Sequence, residues 1–306
     1  MSNRLSEAKV AGTTTDTHFR EQRMFGLSRV VKRIEQEDSL DAISEPLSKW
    51  YTKLTAPDPV KYVLSGSWLG HQLHPMLTDL PIGAWVMASA LDVTGGKTMR
   101  PASQRLVALG FLSAIPTAIT GASDWSESYG KEQRVGMAHI LGNAWGITLQ
   151  GLSWVARKND RHKLGAGLSL LGLGFTTSAA YLGGHLTLND GVGVNHTAFE
   201  RRTKKWTDVA AEDEVQEGQL IRVTANKTPV VLTRHQGELH ALSATCAHAG
   251  GPLHKGHIED DCIVCPWHHS KFRVTDGAPM RGPAGSVQPI WDVRAQEGRV
   301  LVKAAD

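Results

Sequence analysis

Four apolar segments separated by short polar loops, followed by a run of short alternating strands, predict a chain in two working parts. The first is a four-helix transmembrane bundle and the second a small all-β antiparallel domain. Residues 66–190 carry most of the long apolar runs and few charges, whereas the rest of the 306 residues is strongly polar. A net charge of +3, with no basic block interleaved with aromatics, points away from nucleic acid as a partner. Three cysteines are too few for a disulfide framework, which leaves reduced, ligating or buried thiols.

Residues 1–65 form a polar lead-in. The opening MSNRLSEAKVAGTTTDTHFREQR lacks the apolar stretch of a signal peptide. Further on, Leu40, Ile43, Leu47 and Trp50 recur at helical spacing and predict one or two surface-lying amphipathic helices, solvated or at an interface, broken near Pro46.

Residues 66–196 hold the four apolar segments, Pro75–Val93, Leu106–Ala122, Gly136–Ala156 and Leu164–Gly184, each near the ~20 residues that span a bilayer. Gly, Ala, Ser and Pro stud all four, as in membrane helices that approach closely, with Gly142 and Gly146 in GNAWG as an example. Trp68, Trp125, Trp154 and Tyr181 stand at segment ends, where interfacial aromatics belong. Asp79 and Asn143 inside the segments speak for the rival, a soluble bundle. Up-and-down threading brings His71, His74, Asp124, His139 and His185 to one membrane face, with Asn143 a turn deeper than His139.

A linker, 197–205, leads to the β-domain, 206–306, in which LIRVTA, TPVVLTR, GELHALSA, DCIVCPW, KFRVTD and RVLVKA read as strands. Inside it, CIVCPWHHSK (262–271) offers more metal ligands than one tetrahedral ion takes from one loop. Cys262 and Cys265 have the C-x-x-C spacing of structural zinc, but no second such pair exists. The remaining cysteine lies in TCAHAGGPL, so two loops each offer one thiolate and one imidazole: Cys246-x-His248 and Cys265-x-x-His268, sixteen residues apart. A two-iron centre uses that division, with two thiolates on one iron and two imidazoles on the other.

In this spacing, and in the Gly250, Pro252 and Pro266 that accompany it, the domain resembles the Rieske iron–sulfur family. The resemblance implies a [2Fe-2S] cluster with Cys246 and Cys265 on the inner iron and His248 and His268 on the outer one. It also implies a proline-bearing third loop at Gly282-Pro283-Ala284, and a serine, Ser270, whose hydroxyl supports a sulfur. Cys262 and His269 are then bystanders, the histidine standing where the family usually has a glycine, a position of positive φ. The loop disulfide of high-potential members is missing, since Gly251 and Trp267 occupy its positions, and their sulfur-bonding tyrosine is Phe272 here. A midpoint in the lower half of the Rieske range, about −150 to +300 mV, is expected.

The segment SGSWLGHQLHPMLTDLPIGAW, with Asp124-Trp125, RVGMAH and YLGGHL, resembles a bacterial four-helix membrane family known only as domain of unknown function 2231. That implies a multi-pass protein of the bacterial cell membrane. Basic loops on one face (Lys97, Arg100, Arg105, Arg157, Lys158, Arg161, Lys163) would place that face in the cytoplasm, whereas the leaderless N-terminus argues the other way, so the side of the β-domain stays open. Of the membrane histidines His71, His74, His139 and His185, two could hold a b-type haem, a metal ion or a quinone headgroup; the alternative is that they close loops by hydrogen bonding. The function expected is one-electron transfer between a membrane quinone or haem and a partner protein. The alternative is a ferredoxin feeding an oxygenase, with the helices only an anchor in the lipid bilayer.

Overall fold

The computed structural model describes residues 26–305, so the reading of the first 23 residues as leaderless lies outside the described residues. Among the described residues, seven α-helices precede ten strands. Three lie in the lead-in: α1 (Gly26–Glu35), α2 (Asp41–Leu54) and α3 (Asp58–Leu64). Pro46 does not break α2 as expected. Ser44 and Ser48 on either side of it are buried, and this packing carries the helix past the missing N–H. The break comes instead at Pro57, which caps α3.

Four long helices follow: α4 (Leu73–Thr94), α5 (Arg100–Trp125), α6 (Gly130–Lys158) and α7 (His162–Leu188). The sequence led us to expect four equivalent spans, and the four differ. Leu73–Thr94 and the stretch Lys97–Trp125 are long and apolar enough to cross a membrane; α6 and α7 are long enough but fall short in apolarity. Small and polar residues such as Gln150, Ser153, Ser169 and Thr176 dilute them, and these face inward.

The bundle is built inside out relative to a water-soluble one. Its buried positions include Ala84, Ala88, Gly110, Ala114, Thr117, Gly146, Ser169, Gly172 and Ala179. Exposed positions include Leu80, Met87, Leu109, Leu112, Leu152, Leu170 and Leu171. Small residues let backbones approach: a Cβ on Gly146 would collide with Thr176, and one on Gly142 would lie 3.1 Å from the Ala179 Cβ. Polar contacts between helices complete the seam, with Gln150 Nε2 donating to the Ser169 carbonyl at 3.0 Å and Ser169 Oγ donating back to Oε1 at 2.9 Å. Arg157, counted above among the loop charges, is buried and forks onto Asp92, with Nη1 2.8 Å from Oδ1. It is a structural ion pair and contributes no free charge to that face.

The β-domain has ten strands where six were expected; the additional ones are β1 (Thr207–Ala211), β5 (His257–Glu259), β8 (Pro279–Arg281) and β9 (Ile290–Gln296). A six-stranded antiparallel sheet runs β1-β10-β9-β4-β3-β2, and a four-stranded one β5-β6-β7-β8. The remaining strands are β2 (Ile221–Ala225), β3 (Thr228–His235), β4 (Glu238–Ser243), β6 (Cys262–Val264), β7 (Lys271–Arg273) and β10 (Arg299–Ala304). Val231, Leu242, Leu253, Ile263, Phe272 and Val274 form one core that reaches Cys246 and Cys265. The cysteine loops therefore rest on packed side chains.

Candidate metal centre

Three loops meet at one tip of the β-domain: the segment after β4, that between β6 and β7, and that after β8. Local hydrogen bonds shape the first two. Cys246 N–H donates to the Gly251 carbonyl (2.8 Å) and Gly250 N–H to the Cys246 carbonyl (2.9 Å). Cys265 N–H donates to the Ser270 carbonyl (2.9 Å) and His269 N–H to the Cys265 carbonyl (3.1 Å). His269 has φ 58°, the left-handed region where a glycine would cost less.

Inside the tip the Cys246 and Cys265 thiols hydrogen-bond to one another, and His248 Nδ1 lies 3.2 Å from His268 Nδ1, the rings perpendicular at 88°. Two sulfurs and two nitrogens therefore converge, and these four side chains fit a two-iron cluster's donor set. Burial holds the His248 imidazole down to about 3 and His268 below its ordinary value, so both are neutral with a lone pair to give. The Cys246 hydrogen bond brings Cys265 down to about 7, toward the ligating thiolate, while Cys246 is pushed up by that same bond and by burial. Cys262 lies apart, buried in β6 opposite Arg273.

The third loop splices the other two. Ala284 N–H donates to Ser270 Oγ (3.1 Å), leaving the serine's own proton to give elsewhere. Gln288, fully buried, donates through Nε2 to the Ser243 and Thr245 carbonyls (2.7 Å each) and accepts from Ala247 N–H (3.0 Å). Gly251 packs on Trp267, and a Cβ there would sit 2.9 Å from Cys265 Sγ. Phe272 is fully buried and brings no hydroxyl.

The tip faces the helices. Asp58 on α3 binds Lys271 Nζ (2.8 Å) and Arg281 Nε (2.9 Å), and Arg281 Nη1 in turn donates to the His269 carbonyl (2.9 Å). Ser67 Oγ donates to the Ala284 carbonyl (2.9 Å), and Gly285 lies against the backbone of His71 so closely that a Cβ would approach to 2.8 Å. Beyond them the Tyr129 ring stacks on His268, centroids 5.5 Å apart at 21°, and His268 is left 9% exposed. Beneath lie the buried Lys61–Glu127 pair (2.6 Å) and Asp124, neither of whose oxygens finds a hydrogen-bond partner among the described residues. Gln288, Tyr129, Asp58, Arg281 and Lys61 were not singled out from sequence. Each acts through a long-range contact that no local spacing announces.

The four histidines of the helical domain divide. His74 and His139 meet with ring centroids 6.3 Å apart. Each Nδ1 is engaged by a neighbouring helix, at the Thr117 carbonyl (3.0 Å) and the Ala179 carbonyl (2.7 Å), and Asn143 Nδ2 reaches His139 Nε2 at 3.1 Å. His71 is exposed, its Nδ1 beside the Gln72 carbonyl. His185 stands with Glu35 (4.0 Å) and Asp190 (3.7 Å), where Lys131, 3.3 Å from Asp190, already balances the acids.

Comparison with known proteins agrees with this geometry. Residues 205–292 match the Rieske [2Fe-2S] domain, and residues 70–196 match the family described as Predicted membrane protein (DUF2231). A human Rieske domain-containing protein is 39% identical over 115 residues, which are 35% of this chain and 73% of that one. The anthranilate 1,2-dioxygenase ferredoxin subunit of Burkholderia cepacia is 29% identical over 103 residues, 34% of this chain and 95% of that one. Among solved structures, the ferredoxin of carbazole 1,9a-dioxygenase from Nocardioides aromaticivorans IC177 is 26% identical, covering 33% of this chain and 99% of that chain at a TM-score of 0.32. With the cluster-type loops, the β-domain and the human relative in agreement, the chain belongs to the Rieske [2Fe-2S] proteins, its Rieske domain joined to a helical domain that matches the predicted membrane family DUF2231.

Proposed function

We propose that Cys246 and Cys265 hold one iron and His248 and His268, through Nδ1, the other, and that the chain is a membrane-anchored one-electron carrier whose cluster works docked on its own helical domain. When bound, the [2Fe-2S] cluster supplies reversible one-electron storage. The chain's own residues do the rest. Ser270 offers a hydroxyl proton, Gln288 and Arg281 hold the loops, and Asp58 and Ser67 fix the tip on α3 and the segment after it. The observation that carries the reading is Tyr129 stacked on His268, which covers the imidazole face where an electron would enter or leave.

The inside-out bundle supports four spans: lipid can take the exposed Leu, Ile and Met side chains that water would not. His74 and His139 would then lie at the cluster side of the membrane, as closing hydrogen bonds or as contacts for a quinone headgroup. A second reading, a ferredoxin component feeding an oxygenase, is favoured by the dioxygenase ferredoxins among the relatives. In that reading the tip must leave the helices to meet its partner.

Electron paramagnetic resonance of the reduced protein in ordered membrane multilayers tests the choice. A docked cluster gives signals that vary strongly with the angle between membrane normal and field. Signals independent of that angle would refute docking and favour the mobile ferredoxin.

A further inference from the structure

Helix α2 is oriented the wrong way round for a helix in water. It turns the small polar Ser44 and Ser48, 0% and 6% exposed, toward the bundle and leaves Ile43, Leu47, Trp50 and Leu54 outside, three of them between 55% and 58% exposed. Those four positions, spaced four, three and four apart, form one continuous stripe.

This orientation is fixed by specific bonds. Ser48 Oγ and Thr52 Oγ1 donate to the Ser126 carbonyl (3.0 and 3.3 Å), Tyr51 OH donates to the Ile119 carbonyl (2.9 Å), and Arg134 forks onto Asp41 (2.8 and 2.6 Å). The helix is thus laid across the end of α5, its Tyr51 hydroxyl on the Ile119 carbonyl, and Ile115 and Ile119 of α5 and Val60 and Val63 of α3 are exposed as well. Lys49 and Lys53 flank the stripe, and α1 repeats the pattern with exposed Leu27 and Val30 beside exposed Arg29, Lys32 and Arg33. Apolar side chains bordered by lysine and arginine, beside a surface of membrane character, match the boundary between anionic headgroups and acyl chains.

We infer that α1 to α3 form an interfacial platform bedded in the headgroup boundary of an anionic bilayer, with the apolar stripe of α2 in the lipid. The inference rests on the membrane reading proposed above and extends it to a segment outside the matched helical family, residues 70–196. Because α3 also carries Asp58, which grips the Rieske tip, the platform sets the cluster roughly one helix diameter, about 10 Å, from the headgroups. A lipid-soluble carrier moving in that layer reaches it without leaving the membrane.

The test uses the full-length protein in vesicles of phosphatidylcholine and phosphatidylglycerol brominated either near the headgroup end or near the methyl end of the acyl chain. Tryptophan emission is compared between the parent protein, Trp50→Phe and Trp145→Phe. Trp145 sits near the middle of α6 and is exposed, so it reports on the bundle itself. Trp50 emission quenched by shallow bromine more than by deep, and Trp145 emission by the deep more than the shallow, is the expected result. Quenching of Trp145 but not Trp50 overturns the platform while leaving the membrane reading intact; quenching of neither overturns both. Trp50 shielded in a stable dimer of the chain would also overturn it, assigning the stripe to a second copy. In the double variant Leu47→Glu, Leu54→Glu, shallow quenching of Trp50 should drop about threefold or more with the cluster's paramagnetic spectrum unchanged.

Discussion

Replacing Gln288 by leucine should loosen the cluster tip more than any exposed substitution nearby. The side chain is fully buried and serves three main-chain groups: the Ser243 and Thr245 carbonyls and the Ala247 N–H. Leucine fills similar space but pairs with none of them, so three polar groups remain buried without partners. Each such orphan costs about 1–3 kcal/mol, partial relaxation lowering the total, so a loss of roughly 3 kcal/mol is the low end for the set. At 1.4 kcal/mol per decade this is about a hundredfold in the unfolding equilibrium. The assay is denaturant-induced loss of the cluster's visible absorbance in the full-length protein in detergent, with the exposed Gln216→Leu as control. A Gln288→Leu midpoint matching that of the control would refute the role given to Gln288 in joining the third loop to the first.

Further outcomes follow from other residues. Phe272→Tyr should raise the midpoint potential by about 40 mV and Ser270→Ala lower it by a similar amount, the one-electron equivalent of a hydrogen bond of ~1 kcal/mol, as redox titration would read. The hydrogen bond from Lys271 to Asp58 raises the ammonium's pKa, so the contribution is complete below the unfolded value of about 10.4 and disappears as pH rises through the folded value. Unfolding midpoints followed across that alkaline range should show this loss, and Asp58→Asn should reduce it, Glu259 at 3.1 Å keeping the rest, at a cost of about 1 kcal/mol at neutral pH. Arg157→Leu leaves the Asp92 carboxylate buried without its partner and should cost about 3–5 kcal/mol in detergent-solubilised protein, measured by thermal unfolding of the helices. Purified full-length protein should show cluster absorbance without a Soret band, because Asn143 Nδ2 already occupies the His139 Nε2 that would otherwise face an iron.

The division into helical and β parts could be read from the sequence because apolar runs and period-two strands are local patterns, and the four converging donors could be read because their spacing is local too. Strands β5 and β8 were missed for the converse reason: each is three residues long and is a strand only because β6 and β7 lie beside it. Pro46 misled because a proline rule knows nothing of the serines that dock α2. Arg157 misled in the same way, since its partner Asp92 lies 65 residues away. The contacts around the tip, from Asp58, Ser67 and Tyr129, join segments between about 140 and 220 residues apart, and no motif spacing encodes them.

The stacking of Tyr129 on His268 also sets the terms on which any outside protein competes for the cluster edge. The helical domain is tethered to the Rieske domain by a short stretch of chain, so it meets the tip at an effective concentration in the millimolar range, whatever the expression level. A soluble partner present at micromolar concentration must therefore bind the imidazole face about a thousandfold more tightly than the helices do to gain half of the population. Docking of the tip on the helices is correspondingly first order, its rate unchanged on dilution.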